Sequence, residues 1–465
     1  MKSNGFNLFD QAFAVAEQKK TEKIEKSTRK TPIYLIVGLD FGTAFTKCMV
    51  RDYNYRRAAP LAFTVDGEST FLIPSKLAWH AGTLSHPLDG LAKGIMTLDF
   101  LKMALASAAA GKGSDWLDGL VRRLGIDGSQ RQVETLQALV VYYIHRVLLD
   151  VDRYIRDKWL DFGQLEGDTI YFNMAVPVAQ ATDKAIIDAF SQCLNAAVSI
   201  LNSKATIPAT LSGCIAAFEK HKDRQIPECS LMPEVTANVQ SYVRDRGGRQ
   251  GLYLFADVGA GTVDYSVFIY YDVRGEEMLT YPHAAVEHLG SSQLEIRAFL
   301  RLQSDLMEQL RLLKEGLTRD GESSVNLPEA LESIRSDMSG EIVVATTRVI
   351  GYARRKIRRQ QFQTMEILYG GGGCCQEPYE NGIETAFDPR WGLTPVSQPL
   401  PVPKDVDWPN GDGATLFKRF SVAYGLSLLP TDHQVQHFPD EIGEFDPAED
   451  HQRRDIPSAP TKDEV

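Results

Sequence analysis

The sequence has no long apolar run, no cysteines at metal spacing and no surplus of positive charge. Each absence closes off a class of function. Its 465 residues contain no unbroken apolar stretch of about eighteen, so no membrane span is expected. The opening MKSNGFNLFDQAFAVAEQKK is interrupted by Asn7, Asp10 and Gln11 and does not read as a secretory leader. Six cysteines, at positions 48, 193, 214, 229, 374 and 375, form no CxxC pair, and each reads as a small buried hydrophobe in a reduced, cytoplasmic chain. The nine histidines supply no HExxH and no paired ligand spacing, which leaves a zinc site unsupported. A formal net charge of -11 argues against nucleic acid as a partner. There is no GxSxG elbow. The nearest string to a P-loop, ASAAAGKGSD, has Ala106 where the first glycine belongs and Gly113 after Lys112 instead of Ser or Thr.

What is present is an alternation of strand and helix signals. After Pro32, a short apolar run from Ile33 to Val37 predicts a buried strand that turns at Gly42 into a second strand, Thr46 to Val50. FLIPSKLAWH reads as strand, 81–94 as a polar, glycine-rich stretch, and 95–110 and 115–124 as helices. From Gln132 to Leu160, Val133, Leu136, Val140, Tyr143, Val147 and Leu148 follow helical spacing. The strand TIYFNMAVPV stops at Pro177, and Thr182 is the expected N-cap of the next helix. RDRGGRQ at 244–250 is a break, and after it strand, glycine turn and strand recur over 252–270. The same device at 33–50 and at 252–270 predicts internal duplication, an α/β layered fold and a two-lobed protein with a cleft between.

The expected boundaries follow. An N-terminal arm covers 1–30. Lobe I covers 31–245, with a small insertion at about 55–100. Lobe II covers 250–415, with a helical insertion at about 293–350. A closing helix at 416–432 returns to lobe I, and 433–465 is an acidic, disordered tail. ARRKIRRQ at 353–360 carries five positive charges and reads first as the solvated face of a helix, with nucleoside contacts or an acidic partner as the functional alternatives.

The candidate chemistry lies in the two glycine turns. Asp40-Phe41-Gly42-Thr43 and Asp257-Val258-Gly259-Ala260-Gly261-Thr262 each follow a buried strand directly. Glycine lets backbone approach a ligand closely, and successive N–H groups in such a turn make a nest for an anion. An aspartate at the strand end is no anion ligand. It suits a hydrated Mg²⁺, which keeps several waters and touches few carboxylates. A dinucleotide fold is excluded because DVGAGTVDYSV continues as an alternating strand where a helix should open.

GLDFGTAFTK resembles the first phosphate motif of the actin and heat-shock-chaperone superfamily, and DVGAGTVDYSV resembles the second, nearest the DnaK-type chaperones and bacterial actins. FLIPSKLAW, FNMAVPVAQATDKAIIDAF, EHLGSSQLE and FSVAYGLSL resemble further segments of that superfamily in the same order, across about 33–430. The resemblance implies an actin-like ATPase fold of duplicated ribonuclease-H-like domains, with ATP or ADP and Mg²⁺ in the cleft. It is closest to the nucleotide-binding half of a chaperone, with no peptide-binding domain after 430. Lys47, four residues after Thr43, matches a phosphate-contacting lysine of actin. PEVTANVQSY matches a helix start whose glutamate, here Glu234, positions the attacking water, although Val235 and Asn238 stand where the family has Pro and Ala. MEILYGGGG matches the adenosine turn, placing Gly370, Gly371, Gly372 and Gly373 against ribose and α-phosphate. The family's catalytic lysine in lobe I is unanchored, with Lys93 and Lys102 the candidates.

The resemblance thus implies Asp40 and Asp257 at the metal, with Asp264 either joining them or capping its strand. Gly42, Thr43, Gly259, Gly261 and Thr262 face the phosphates. Three uses remain open: an ATP-hydrolysing switch for a protein partner, an actin-like protein self-associating into filaments, and a small-molecule kinase.

Overall fold

The computed structural model describes residues 29–90, 96–126, 128–176, 183–245, 249–302, 327–357, 362–374, 377–409 and 413–438. The fold is mixed α/β, built on two six-stranded sheets. The first contains β1 (Tyr34–Phe41), β2 (Phe45–Asp52), β3 (Arg57–Pro60), β4 (Ile73–Pro74), β5 (Thr169–Val176) and β6 (Cys229–Pro233). The second contains β7 (Gly251–Val258), β8 (Val263–Val273), β9 (Glu276–Glu287), β10 (Thr364–Gly370), β11 (Thr394–Gln398) and β12 (Val435–His437).

The two sheets share one plan. The first runs β6-β5-β1-β2-β3 and the second β11-β10-β7-β8-β9. In each, the two pairings on the left are parallel and the two on the right antiparallel. The two sheets thus repeat one strand order and one pattern of strand directions. The apolar run of β1 is continuous because helices cover the sheet on its far face. Among them is α2 (Ser129–Lys158), whose Leu136, Val140, Tyr143, Val147 and Leu148 all enter the first core.

The helix α3 (Lys184–Asn202) is long and apolar enough by composition to cross a membrane, yet Ile186, Phe190, Leu194, Ala197 and Ile200 are buried in that same core. Its N-cap is Asp183, whose carboxylate accepts from the amides of Ala185 and Ile186. The expected cap, Thr182, lies outside the described residues.

A third apolar cluster joins the sheets, with Met49, Ala58 and Val235 meeting Tyr253, Phe255, Phe268 and Phe420. The closing helix runs over Gly413–Leu426, earlier than the predicted 416–432. A Cβ on Gly38 of β1 would stand 2.3 Å from the Ala423 carbonyl oxygen, so only glycine lets the helix lie so low on the sheet. The segment after β11 also returns to the first sheet. The Ala58 amide donates to the Asp405 carbonyl at 2.9 Å, and the buried Arg51 pairs with the Asp405 carboxylate at 2.7 Å.

Two other boundaries differ from expectation. The helical insertion appears as Gln293–Leu302 and Leu327–Arg354, with 303–326 outside the described residues. The tail is ordered at its start, because Val435–His437 pairs in parallel with Met278–Thr280. Backbone pairing to an open sheet edge needs no apolar pattern, which is why composition missed it. The arm up to residue 28 and the tail from 439 lie outside the described residues. Arg29 is described, and its guanidinium grips Asp168 at 2.7 and 2.8 Å.

Candidate functional site

The two hairpin turns face each other across a cleft of about 900 Å³, large enough for a nucleotide-sized ligand. They touch: a Cβ on Gly261 would meet the Thr43 methyl at 3.0 Å. Twelve of the fourteen predicted residues line this cleft: Asp40, Gly42, Thr43, Lys47, Glu234, Asp257, Gly259, Thr262, Asp264, Gly371, Gly372 and Gly373. Gly261 and Gly370 lie behind the wall. Gly370 packs on the Phe255 ring, where a Cβ would come within 2.7 Å.

The turns hold their shape through their own amides, and this reassigns the donors. The Gly42 amide donates to the Asp40 carbonyl at 3.1 Å and the Gly259 amide to the Thr262 carbonyl at 2.9 Å. Gly371 and Gly373 donate to the Lys418 and Val258 carbonyls at 3.0 and 2.9 Å. These four amides are spent on the scaffold. Among the described residues that line the cleft, the amides of Thr43, Ala260 and Gly372 donate to no backbone carbonyl and are open to an anion.

The LGSS turn at 289–292 locks the second loop from behind. The Ser291 and Ser292 amides both donate at 2.9 Å, to the Gly259 and Ala260 carbonyls. A Cβ on Gly290 would overlap three backbone atoms of that loop at 2.4 Å.

Charge in the cleft is concentrated and buried. Asp40 faces Lys47 in the hairpin register, and the pair closes at 2.5 Å. Asp257 faces Asp264 at the same place in the other hairpin. Glu234 begins α4 (Glu234–Asn238), directly after β6. Its carboxylate is bonded to the Nζ of Lys102, which rises from α1 (Leu101–Ala109) and is fully buried.

Burial, then Glu234 and Asp40, push the Asp257 carboxyl up to about 6, against the opposing pull of Asn238 and Lys47. Burial, Glu234 and Asp257 hold Asp264 well above the usual carboxylate range, only partly offset by Lys102. Burial disfavours the charged Lys102, but Glu234 and Asp40 outweigh it and the ammonium is stabilised.

The donors suit a cation. Around the two turns stand the carboxylates of Asp40, Glu234, Asp257 and Asp264 with the ammonium groups of Lys47 and Lys102, the wider lining adding Asp99, Glu295, Lys76, Lys418 and Arg419, and the Asp264 Oδ1 is buried without a hydrogen-bond partner among the described residues. Among the described residues no three His, Cys, Asp or Glu side chains converge to grip a bare ion. Such a set fits a hydrated Mg²⁺ held through its waters.

Sequence reasoning left Lys102 beside Lys93 as a bare candidate; the structure puts Lys102 at Glu234, and Lys93 lies outside the described residues. The signal was present: Lys102 is the one charge in LKMALASAA. Just before this helix Phe100 is held at φ 60°, a left-handed conformation that a bulky side chain adopts only where its surroundings impose it. The residue at 238, expected to weaken the match, is instead a member of the site, because the Asn238 amide donates to Asp257 at 2.6 Å.

On the floor, Lys418, Arg419 and Ser421 come from the closing helix, with the Arg419 guanidinium 3.3 Å from where a Gly372 Cβ would stand. The basic stretch near 354 is elsewhere: Arg354 lies over the Trp391 ring and Arg355 over Tyr352, and 358–360 are outside the described residues. Among comparisons with known proteins, no family model and no curated protein matches the chain, so its chemistry is argued from the cleft.

Proposed function

We propose that the chain binds ATP with Mg²⁺ in this cleft and hydrolyses it, as a two-lobed switch of the actin and heat-shock-chaperone type. The observation that carries the reading is the pair of matched hairpins, each with an aspartate ending its first strand and each offering free turn amides to the same cleft. A phosphate chain between the turns would meet the amides of Thr43 and Ala260, with Lys47 offsetting charge from the side. Asp40, Asp257 and Asp264 are the residues that would hold the metal. Bound there, Mg²⁺ supplies charge neutralisation to the phosphate oxygens.

Glu234 is placed to orient water. Its carboxylate lines the cleft while the ion pair with Lys102 fixes its position. Hydrolysis in this reading is positioning plus charge stabilisation, which such a set can supply. The two sheets are bridged at α4 and at the closing helix, so a change at the phosphates can alter their angle.

Calorimetric titration with ATP, with and without Mg²⁺, beside single-turnover assays tests the reading. Wild type should bind more tightly with Mg²⁺. Asp257→Ala should lose the metal-dependent part, and Glu234→Ala should bind normally yet turn over roughly 10²–10⁴-fold more slowly. Absence of nucleotide binding by wild type would falsify it.

A further inference from the structure

Asn238 is 1% exposed and lies between three elements. Its Nδ2 donates to the Asp257 Oδ2 at 2.6 Å, and its Oδ1 accepts from the Ser421 Oγ, also at 2.6 Å. Only one orientation of the amide satisfies both neighbours, because a carboxylate accepts and the NH₂ group must therefore face it. That leaves the carbonyl for the hydroxyl.

Among the described residues this is the one side-chain hydrogen bond that Asp257 receives. Its other close charges are Glu234, Asp40 and Asp264, which repel it, and Lys47, which attracts it. Asn238 belongs to α4 behind the first sheet, Asp257 ends β7 of the second, and Ser421 lies on the closing helix.

We propose that Asn238 is a positioning residue: it aims the Asp257 carboxylate and ties that aim to the closing helix through Ser421. The proposal rests on the nucleotide reading above. A hinge movement that shifts the closing helix against β7 would turn the amide, and with it the carboxylate.

The test uses the full chain and thermal melting with ATP, once with Mg²⁺ and once with EDTA, together with steady-state kinetics. Asn238→Ala should keep the metal-free shift, lose most of the Mg²⁺-dependent increment, and lower kcat roughly 10- to 100-fold with little change in KM. Ser421→Ala keeps the bond to Asp257 and should give a smaller loss in the same direction. Added to Asn238→Ala, it should cost nothing further, because its effect runs through the amide.

An Asn238→Ala protein with the full Mg²⁺ increment and wild-type kcat overturns the assignment and leaves the nucleotide reading standing. So do losses from the two substitutions that simply add. A wild-type protein with no shift under either condition overturns both. If Asn238→Ala does not fold, Ser421→Ala decides alone, and an undiminished increment there overturns the proposal.

Discussion

Lys47 and Asp264 occupy the same position in two matched hairpins and carry opposite charge. Each lies across the ladder from the aspartate that ends the preceding strand, Asp40 in one case and Asp257 in the other. The first hairpin pairs an acid with a base, and the second sets two acids on a single rung, where burial and neighbouring carboxylates disfavour their charged forms.

That asymmetry makes Asp264→Asn informative. Burial and like charge already disfavour the Asp264 carboxylate, so its neutral isostere should raise the melting temperature of the ligand-free protein. The same change should weaken Mg²⁺-dependent ATP binding, a familiar conflict between stability and function. Melting curves and calorimetry on one preparation would check both directions. A lowered melting temperature would count against the repulsion argument.

Lys102→Met removes the ammonium from a buried carboxylate. Breaking such a pair from one side costs about 3–5 kcal/mol, much of it from the stranded charge. Glu234→Gln in the same chain should recover a large part of that loss. Urea denaturation of both single variants and the double would show it, with simple additivity as the contrary result.

Gly425→Ala places a Cβ 2.1 Å from the Ala237 carbonyl oxygen, so the closing helix and α4 must separate. Overpacking of this kind costs about 1–3 kcal/mol or more. It should also slow turnover, because α4 begins at Glu234. Gly340→Ala, on an exposed helical surface with open space around it, should stabilise by about 0.5–1 kcal/mol and leave turnover alone.

His145 is one source of pH dependence, beside His86 and His433, whose pKa values burial lowers to about 3 and about 4. It is buried on α2, neither ring nitrogen has a hydrogen-bond partner among the described residues, and burial followed by Arg146 lowers its pKa to about 4. Below its ordinary value near 6.5 the unfolded chain takes up a proton that the folded chain refuses. Its contribution to stability is therefore intact above pH 6.5 and declines as the pH falls toward 4. His145→Leu should reduce the slope of stability across that window in acid-denaturation curves, leaving the share of His86 and His433. An unchanged slope would place the sensitivity elsewhere.

The strands, the two matching hairpins and most of the cleft lining were legible in sequence because they rest on local chemistry: apolar runs, glycine turns and an aspartate at a strand end. Contacts between distant segments were not legible. Nothing near Lys102 announces Glu234, 132 positions later, beyond a lone charge in an apolar helix. Asn238 looked like a departure because its partners, Asp257 and Ser421, come from other elements. Glycine composition marked the turns correctly but not which amides close them, since that depends on the backbone path. The strand at Val435–His437 gave no signal because its neighbour, not its own pattern, makes it a strand.

The closing helix also sets a constraint on how the chain is made. It seals the first sheet at Gly38, and the Asn173 side chain donates to the Leu426 and Leu428 carbonyls at 2.8 and 2.9 Å. Every strand of that sheet has been synthesised by Pro233, yet the helix that covers it ends at Leu426. At ordinary translation speeds of about 5–20 residues per second, the apolar face around Gly38 waits roughly 10–40 s for its cover. During that time it is a surface for holding factors or for misassembly, so co-translational yield should depend on such helpers more than refolding of the finished chain does.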